Sequence, residues 1–165
     1  MKTSILAFSI ISLAFICKTI EAAEPVLDIS GNKVTTGVKY YILPVIRGKG
    51  GGLTVTNVNN LNSNNSTCPL YVLQEKLEVK NGQAVTFTPY NAKQGGVEGN
   101  PGFDTIFNWF KIEKADKDYV LSSCPSVSTT KTLCRELGLY VYGNGNKHLA
   151  LSDQVPSFRV VFKRA

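Results

Sequence analysis

Turn-forming residues recur along this chain at short intervals. They cluster at Gly48-Lys-Gly-Gly-Gly52, Asn81-Gly82, Gly95-Gly96, Gly99-Asn-Pro-Gly102 and Gly143-Asn-Gly145. Each cluster supplies the positive φ or fixed φ that a tight turn needs. Short runs rich in β-branched and aromatic residues lie between them: Leu53–Thr56, Leu70–Leu73, Ala84–Thr88, Phe107–Ile112 and Ser157–Phe162. Several alternate apolar and polar residues, as half-buried strands do. Only Thr132–Leu137 has helical character, and it is short. The pattern predicts an all-β chain, a barrel or a sandwich.

The segment Val26–Pro44 shows the pattern at its clearest. Val26, Leu27 and Ile29 carry β-favouring bulk, and Ser30-Gly31-Asn32 is turn chemistry. Tyr40, Tyr41, Ile42 and Leu43 form the next apolar run, which Pro44 closes.

Residues 1–23 read as a cleavable leader. Lys2 gives a positive start, Ile5–Ile16 is apolar, and Ala22-Ala23 offers small residues for cleavage. The apolar run is too short for a membrane span. Residues 24–165 then make one domain, expected to be secreted or vacuolar. The 165-residue chain carries a net charge of +6, and loss of Lys2, Lys18 and Glu21 with the leader lowers it by one. Basic residues are scattered among acidic ones, with no arginine-rich or basic–aromatic stripe. Nucleic acid is therefore not expected as a partner, and because no other long apolar stretch follows the leader, neither is a membrane.

Of the four cysteines, Cys17 lies in the leader. Cys124 and Cys134 are the natural pair, closing a loop rich in Ser and Thr. Cys68 is left over. It reads either as a buried free thiol or as a thiol whose partner is lost or lies in another molecule, which would give a disulfide-linked homodimer. Asn64-Asn65-Ser66-Thr67 holds two overlapping glycosylation sequons, at Asn64 and Asn65.

Enzyme chemistry finds little material. His148 is the single histidine and reads as surface or structural. No Gly-x-Ser-x-Gly elbow is present, and the glycines at 48–52 lack the Gly-Lys-Ser/Thr ending of a phosphate loop. Metal ligands are too few for a site. Neither a cofactor nor a catalytic residue is expected. Trp109 and Phe110 read as core or near-core aromatics.

The order of several motifs resembles that of the plant Kunitz-type protease inhibitors, the soybean trypsin inhibitor family that includes miraculin. The likeness begins at Val26–Pro44 and continues through Gly48–Leu53, Cys68-Pro-Leu-Tyr-Val-Leu-Gln74 and Gly99-Asn-Pro-Gly102. It is completed by Asn108–Glu113, Tyr119–Pro125, Leu149–Asp153 and Phe158–Lys163. The resemblance implies a β-trefoil of twelve strands in three pseudo-repeats. It also implies inhibition of a protease, of serine type first and cysteine type second, by an exposed substrate-like loop. That loop follows the strand at Ala84–Thr88, so matching Pro89-Tyr90 puts Asn91 before the scissile bond and Ala92 after it. Lys93 is the basic alternative, in a shifted register. A surface turn without a protease role is the third reading. Family members usually carry a longer segment between the strand near Pro89 and the Gly-Asn-Pro-Gly turn, including the partner of the first cysteine. Here Asn91–Val97 runs almost straight into Glu98-Gly99, so the middle repeat reads as shortened. The alternative function is a storage or defence protein, or a carbohydrate-binding trefoil, without inhibition.

Overall fold

The computed structural model describes residues 24–57, 70–88, 110–124, 134–143, 145–151 and 154–165. The expected leader and Trp109 lie outside these residues. Nine strands and no helix occur among them. The strands are β1 (Lys39–Pro44), β2 (Leu53–Asn57), β3 (Leu70–Gln74), β4 (Val85–Thr86), β5 (Phe110–Ala115), β6 (Asp118–Ser123), β7 (Arg135–Val141), β8 (Lys147–Leu151) and β9 (Arg159–Arg164). Their hydrogen-bonded order is β2-β3-β8-β7-β6-β9-β1-β4, with β5 on β6. The two ends of this order meet. The Gln83 N–H, just before β4, donates to the carbonyl of Leu53 at the start of β2 (2.8 Å). The sheet is therefore curled back on itself.

Alternation sets which side faces inward. In β1, Tyr40, Ile42 and Pro44 are buried, and each pairs with or lies beside β9. Ile42 stands opposite Phe162 and Pro44 opposite Val160. Phe162 and Val160 are the deepest side chains, both 0 % exposed. Around them pack Tyr40, Tyr119, Leu121, Leu137 and Phe158. Strand β6 is buried along its whole length, because β5 covers one edge while β9 and β7 share the other. Two of its three buried polar residues have side-chain partners there. The Ser122 hydroxyl donates to Glu113 Oε2 (2.7 Å), and Asp118 pairs with the Arg159 guanidinium.

The segment before β1 is stitched to this core. The turn at Ser30-Gly31-Asn32 forms as expected, with the Asp28 carboxylate accepting from the N–H groups of Ser30 and Asn32 (2.9 Å each). Asp28 bridges β9 at Phe162, and the Ile29 N–H donates to the Phe162 carbonyl. The hydroxyls of Tyr119 and Tyr40 accept from the N–H groups of Leu27 (2.8 Å) and Thr35 (3.1 Å).

Glycines do specific work where β2 begins. A side chain at Gly52 would strike the Asn81 carbonyl, and one at Gly82 would strike the Leu53 carbonyl. Gly82 also sits at φ +79°, a conformation that disfavours any Cβ. Gly31 shares that φ but faces open space. Gly31→Ala is therefore expected to cost about 1 kcal/mol and Gly82→Ala about 2–3 kcal/mol. Denaturant midpoints of the two variants give the comparison.

One local preference is overridden and one expectation is corrected. The one stretch with local helical character, 132–137, enters strand Arg135–Val141 from Arg135 onward, as the all-β expectation requires. The sheet supplies the reason: Arg135 and Glu136 pair with β6, Leu137–Val141 pair with β8, and Leu137 and Leu139 turn into the core. Tertiary pairing overrides the weak local preference. Phe110 is not a core aromatic; it is 60 % exposed at the start of β5. That strand is an edge strand among the described residues, so its outer side lacks cover.

Cys124, buried at the end of β6, is joined by a disulfide to Cys134 just before β7. The bridge closes a loop of sequence separation 10. Cys134→Ser is expected to lower stability by about 2–3 kcal/mol, read by thermal melting.

Candidate functional site

The expected inhibitory loop begins at the end of β4. This strand is only two residues long, with Val85 opposite Tyr40 and Thr86 opposite Lys39. Pairing this brief would hold a strand poorly. The side chain that follows adds the hold. Phe87 stacks edge-on against Phe162, with ring centroids 5.3 Å apart at 84°, and lies 6.1 Å from the Tyr40 ring. Phe162 in turn contacts Tyr119 at 5.5 Å. The chain thus reaches exposed Thr88 from an aromatic anchor set on Phe162, one of the fully buried side chains among the described residues. Such edge-to-face pairs contribute about 0.5–1.5 kcal/mol beyond the area they bury.

Val85 and Phe87 also line an apolar cavity of about 760 Å³, together with Ile42, Leu53, Val72 and Leu121. Pro89, Tyr90, Asn91, Ala92 and Lys93 lie outside the described residues, as do Cys68, Asn64 and Asn65. What the structure gives of the site is its launching point and anchor.

His148, the single histidine, sits on β8 opposite Tyr140 and Leu73. Its ring meets Tyr71 edge-on at 5.4 Å and Tyr142 at 4.6 Å. Its Nδ1 is buried without a hydrogen-bond partner. The ring contacts it makes among the described residues are aromatic, and they supply no acid–base pair. Among the described residues no group of three or more His, Cys, Asp or Glu could hold a metal.

Charges elsewhere form local pairs. The Lys111 ammonium and then the Ser122 hydroxyl hold the Glu113 carboxyl below its ordinary range. Its contribution to stability is present at neutral pH and is lost as pH falls through that lowered value. Glu24 raises the Lys114 ammonium, and Asp118 raises the Arg159 guanidinium.

Comparison with known proteins then assigns the family. The Kunitz legume family profile, described as trypsin and protease inhibitor, matches residues 26–97 and 92–164. The chain belongs to the Kunitz-type protease inhibitor family. It is 43 % identical to Kunitz trypsin inhibitor 5 of Arabidopsis thaliana, with 89 % of each chain covered. To miraculin of Synsepalum dulcificum it is 34 % identical, covering 83 % of this chain and 82 % of that one. Among solved structures, a Kunitz type trypsin inhibitor from Cicer arietinum superposes with a TM-score of 0.64 at 30 % identity, over 87 % of this chain and 99 % of that one. The Kunitz-type cysteine protease inhibitor PCPI-3 from potato gives a TM-score of 0.61 at 25 % identity, over 87 % and 98 %.

The fold of this Kunitz-family chain is thus the β-trefoil of its relatives, and the family is one of inhibitors rather than enzymes. The alignment with the Arabidopsis inhibitor spans 183 positions, more than this chain has residues, so the relative carries residues absent here. The two profile matches meet at 92–97, where the sequence reading placed the shortening.

The contribution of Phe87 to the site was missed from sequence. The available signal was its place between Thr86 and Thr88 in the β-rich run that ends just before Pro89. The run did not reveal that Phe162 would be its partner, 75 residues away.

Proposed function

We propose that this chain inhibits serine proteases through a substrate-like loop at Pro89–Lys93, with Asn91 before the scissile bond and Ala92 after it. One observation carries the reading: the strand delivering the chain to Pro89 is pinned through Phe87 onto Phe162 and Tyr40. A loop fixed at its base loses less entropy on entering a protease cleft, and that saving appears as affinity. The leader at 1–23 directs the protein to secretion or the vacuole, where such proteases work. Trypsin is named among its relatives and supports a serine-type target. The potato structure makes a cysteine protease the second target class.

Steady-state inhibition assays against trypsin, chymotrypsin, subtilisin and papain test this. Competitive inhibition of one of the three serine enzymes is expected. Inhibition of papain alone would move the target to the cysteine class. No inhibition of any of the four at micromolar protein, from a sample that melts cooperatively, would remove the proposal.

A second reading, carbohydrate binding without inhibition, is favoured by one feature. Tyr71, Tyr140 and Tyr142 are exposed around His148 on the outer face of β3, β7 and β8. Aromatic rings with hydroxyl tips suit sugar faces. A glycan-array signal lost in Tyr142→Ala would support it.

A further inference from the structure

Three loops come together at the end of the barrel away from Thr88. The first, 45–50, follows β1. The second, 75–81, follows β3. The third is the hairpin turn between β7 and β8. The Glu78 carboxylate accepts from the Gly48 N–H (2.7 Å) and faces the Arg47 guanidinium at 3.9 Å. Backbone bonds tie Gly51 to Glu75 (2.7 Å) and Gly52 to Lys80 (2.9 Å). The Lys147 ammonium donates to the Lys49 carbonyl. These links leave the loops little freedom.

The joined loops expose aliphatic side chains that no described residue covers. Val79 is 87 % exposed, and Ile46 and Leu77 are also well exposed. Arg47, Lys49, Lys76, Lys80 and Lys147 stand on the same loops, against two carboxylates, Glu75 and Glu78. Both carboxylates are already engaged with Lys80 and Arg47. Exposed aliphatic side chains interspersed with basic residues along the same loops match an anionic lipid surface, where aliphatic groups enter the interface and lysines meet the headgroups.

Position strengthens the case. Val85 and Thr86 pair with Tyr40 and Lys39 at the start of β1, and β4 runs away from Pro44. Loop 45–50 leaves from the other end of that six-residue strand, about 20 Å away. A surface held at one end leaves the other open to a protease.

We propose that this loop cluster adsorbs the protein onto anionic membranes. The sequence reading expected no membrane partner because no long apolar run follows the leader. That argument excludes a span, not the docking of folded loops. The proposal does not depend on which protease, if any, is inhibited.

The test is co-sedimentation of the purified protein with phosphatidylcholine vesicles, with and without about 30 mol % phosphatidylserine. Binding to the anionic vesicles alone, weakened by salt, is expected. Lys49→Gln/Lys76→Gln should weaken it about 25-fold, at about fivefold per lysine. Leu77→Ser/Val79→Ser should weaken it about tenfold or more while melting temperature and inhibition stay unchanged. Equal sedimentation with neutral vesicles, no sedimentation with either, or unchanged affinity of the Leu77/Val79 variant would overturn the proposal. Binding to soluble polyglutamate as tight as to vesicles would also overturn it, and would assign the cluster to an acidic protein.

Discussion

Replacing Phe162 with alanine is expected to lower folding stability by about 3–5 kcal/mol. The ring is fully buried and lies at the centre of the described core. Its neighbours are fixed by the sheet, since Ile42 faces it from β1 and Tyr119 reaches it from β6. They cannot collapse into the space that a phenyl group leaves. For a domain of this size the melting temperature should fall by roughly 10 °C or more. The adjacent Val161 pairs with Leu43 and is only half-buried. Val161→Ala should therefore cost roughly 1 kcal/mol, which makes it the control for general damage to β9. A second readout separates this site from an ordinary core position. Phe162 is the ring on which Phe87 rests, so its loss frees the base of the proposed inhibitory loop. At a temperature where the variant remains folded, its inhibition constant should rise, while that of Val161→Ala should not. Calorimetry and inhibition assays on the same samples check both.

How far the residues announced this arrangement depends on the range of the forces involved. Local chemistry was legible. The Asp28–Asn32 turn, the run Tyr40–Leu43 and the run Leu53–Thr56 fold where turn residues and alternation place them. Long-range pairing was not legible. Strand β4 is two residues rather than the five that Ala84–Thr88 suggested, because only Val85 and Thr86 find partners on β1. Arg135–Val141 is strand because β6 and β8 pair with it, against a weak local helical preference at its start. Phe110 looked like core and is exposed, because burial depends on what covers an edge, which no single segment encodes. The candidate site divides in the same way. Its position after β4 came from the resemblance to relatives. Its anchor came from a contact between residues 87 and 162 that no local pattern carries.

Asn91→Lys is expected to lower the inhibition constant for trypsin by about 100-fold or more. The argument runs from the pocket. A trypsin-type enzyme presents a carboxylate at the base of its specificity pocket. An asparagine amide entering that pocket gives the carboxylate a dipole where it favours a cation. Lysine in the same place makes a buried charge pair, and close pairs across protein interfaces couple by about 1.5–7 kcal/mol. Even the lower part of that range, at 1.4 kcal/mol per factor of ten, reaches one to two orders of magnitude. Lys93 decides the register. If Asn91 precedes the scissile bond, Lys93→Ala leaves trypsin inhibition by the Asn91→Lys protein within a few-fold. If the register is shifted, the unmodified protein already inhibits trypsin, Lys93→Ala abolishes that, and Asn91→Lys adds little. Inhibition constants for the single and double variants against trypsin therefore distinguish the two alignments. Equal melting temperatures for the variants would show that the differences arise at the protease and not in the barrel.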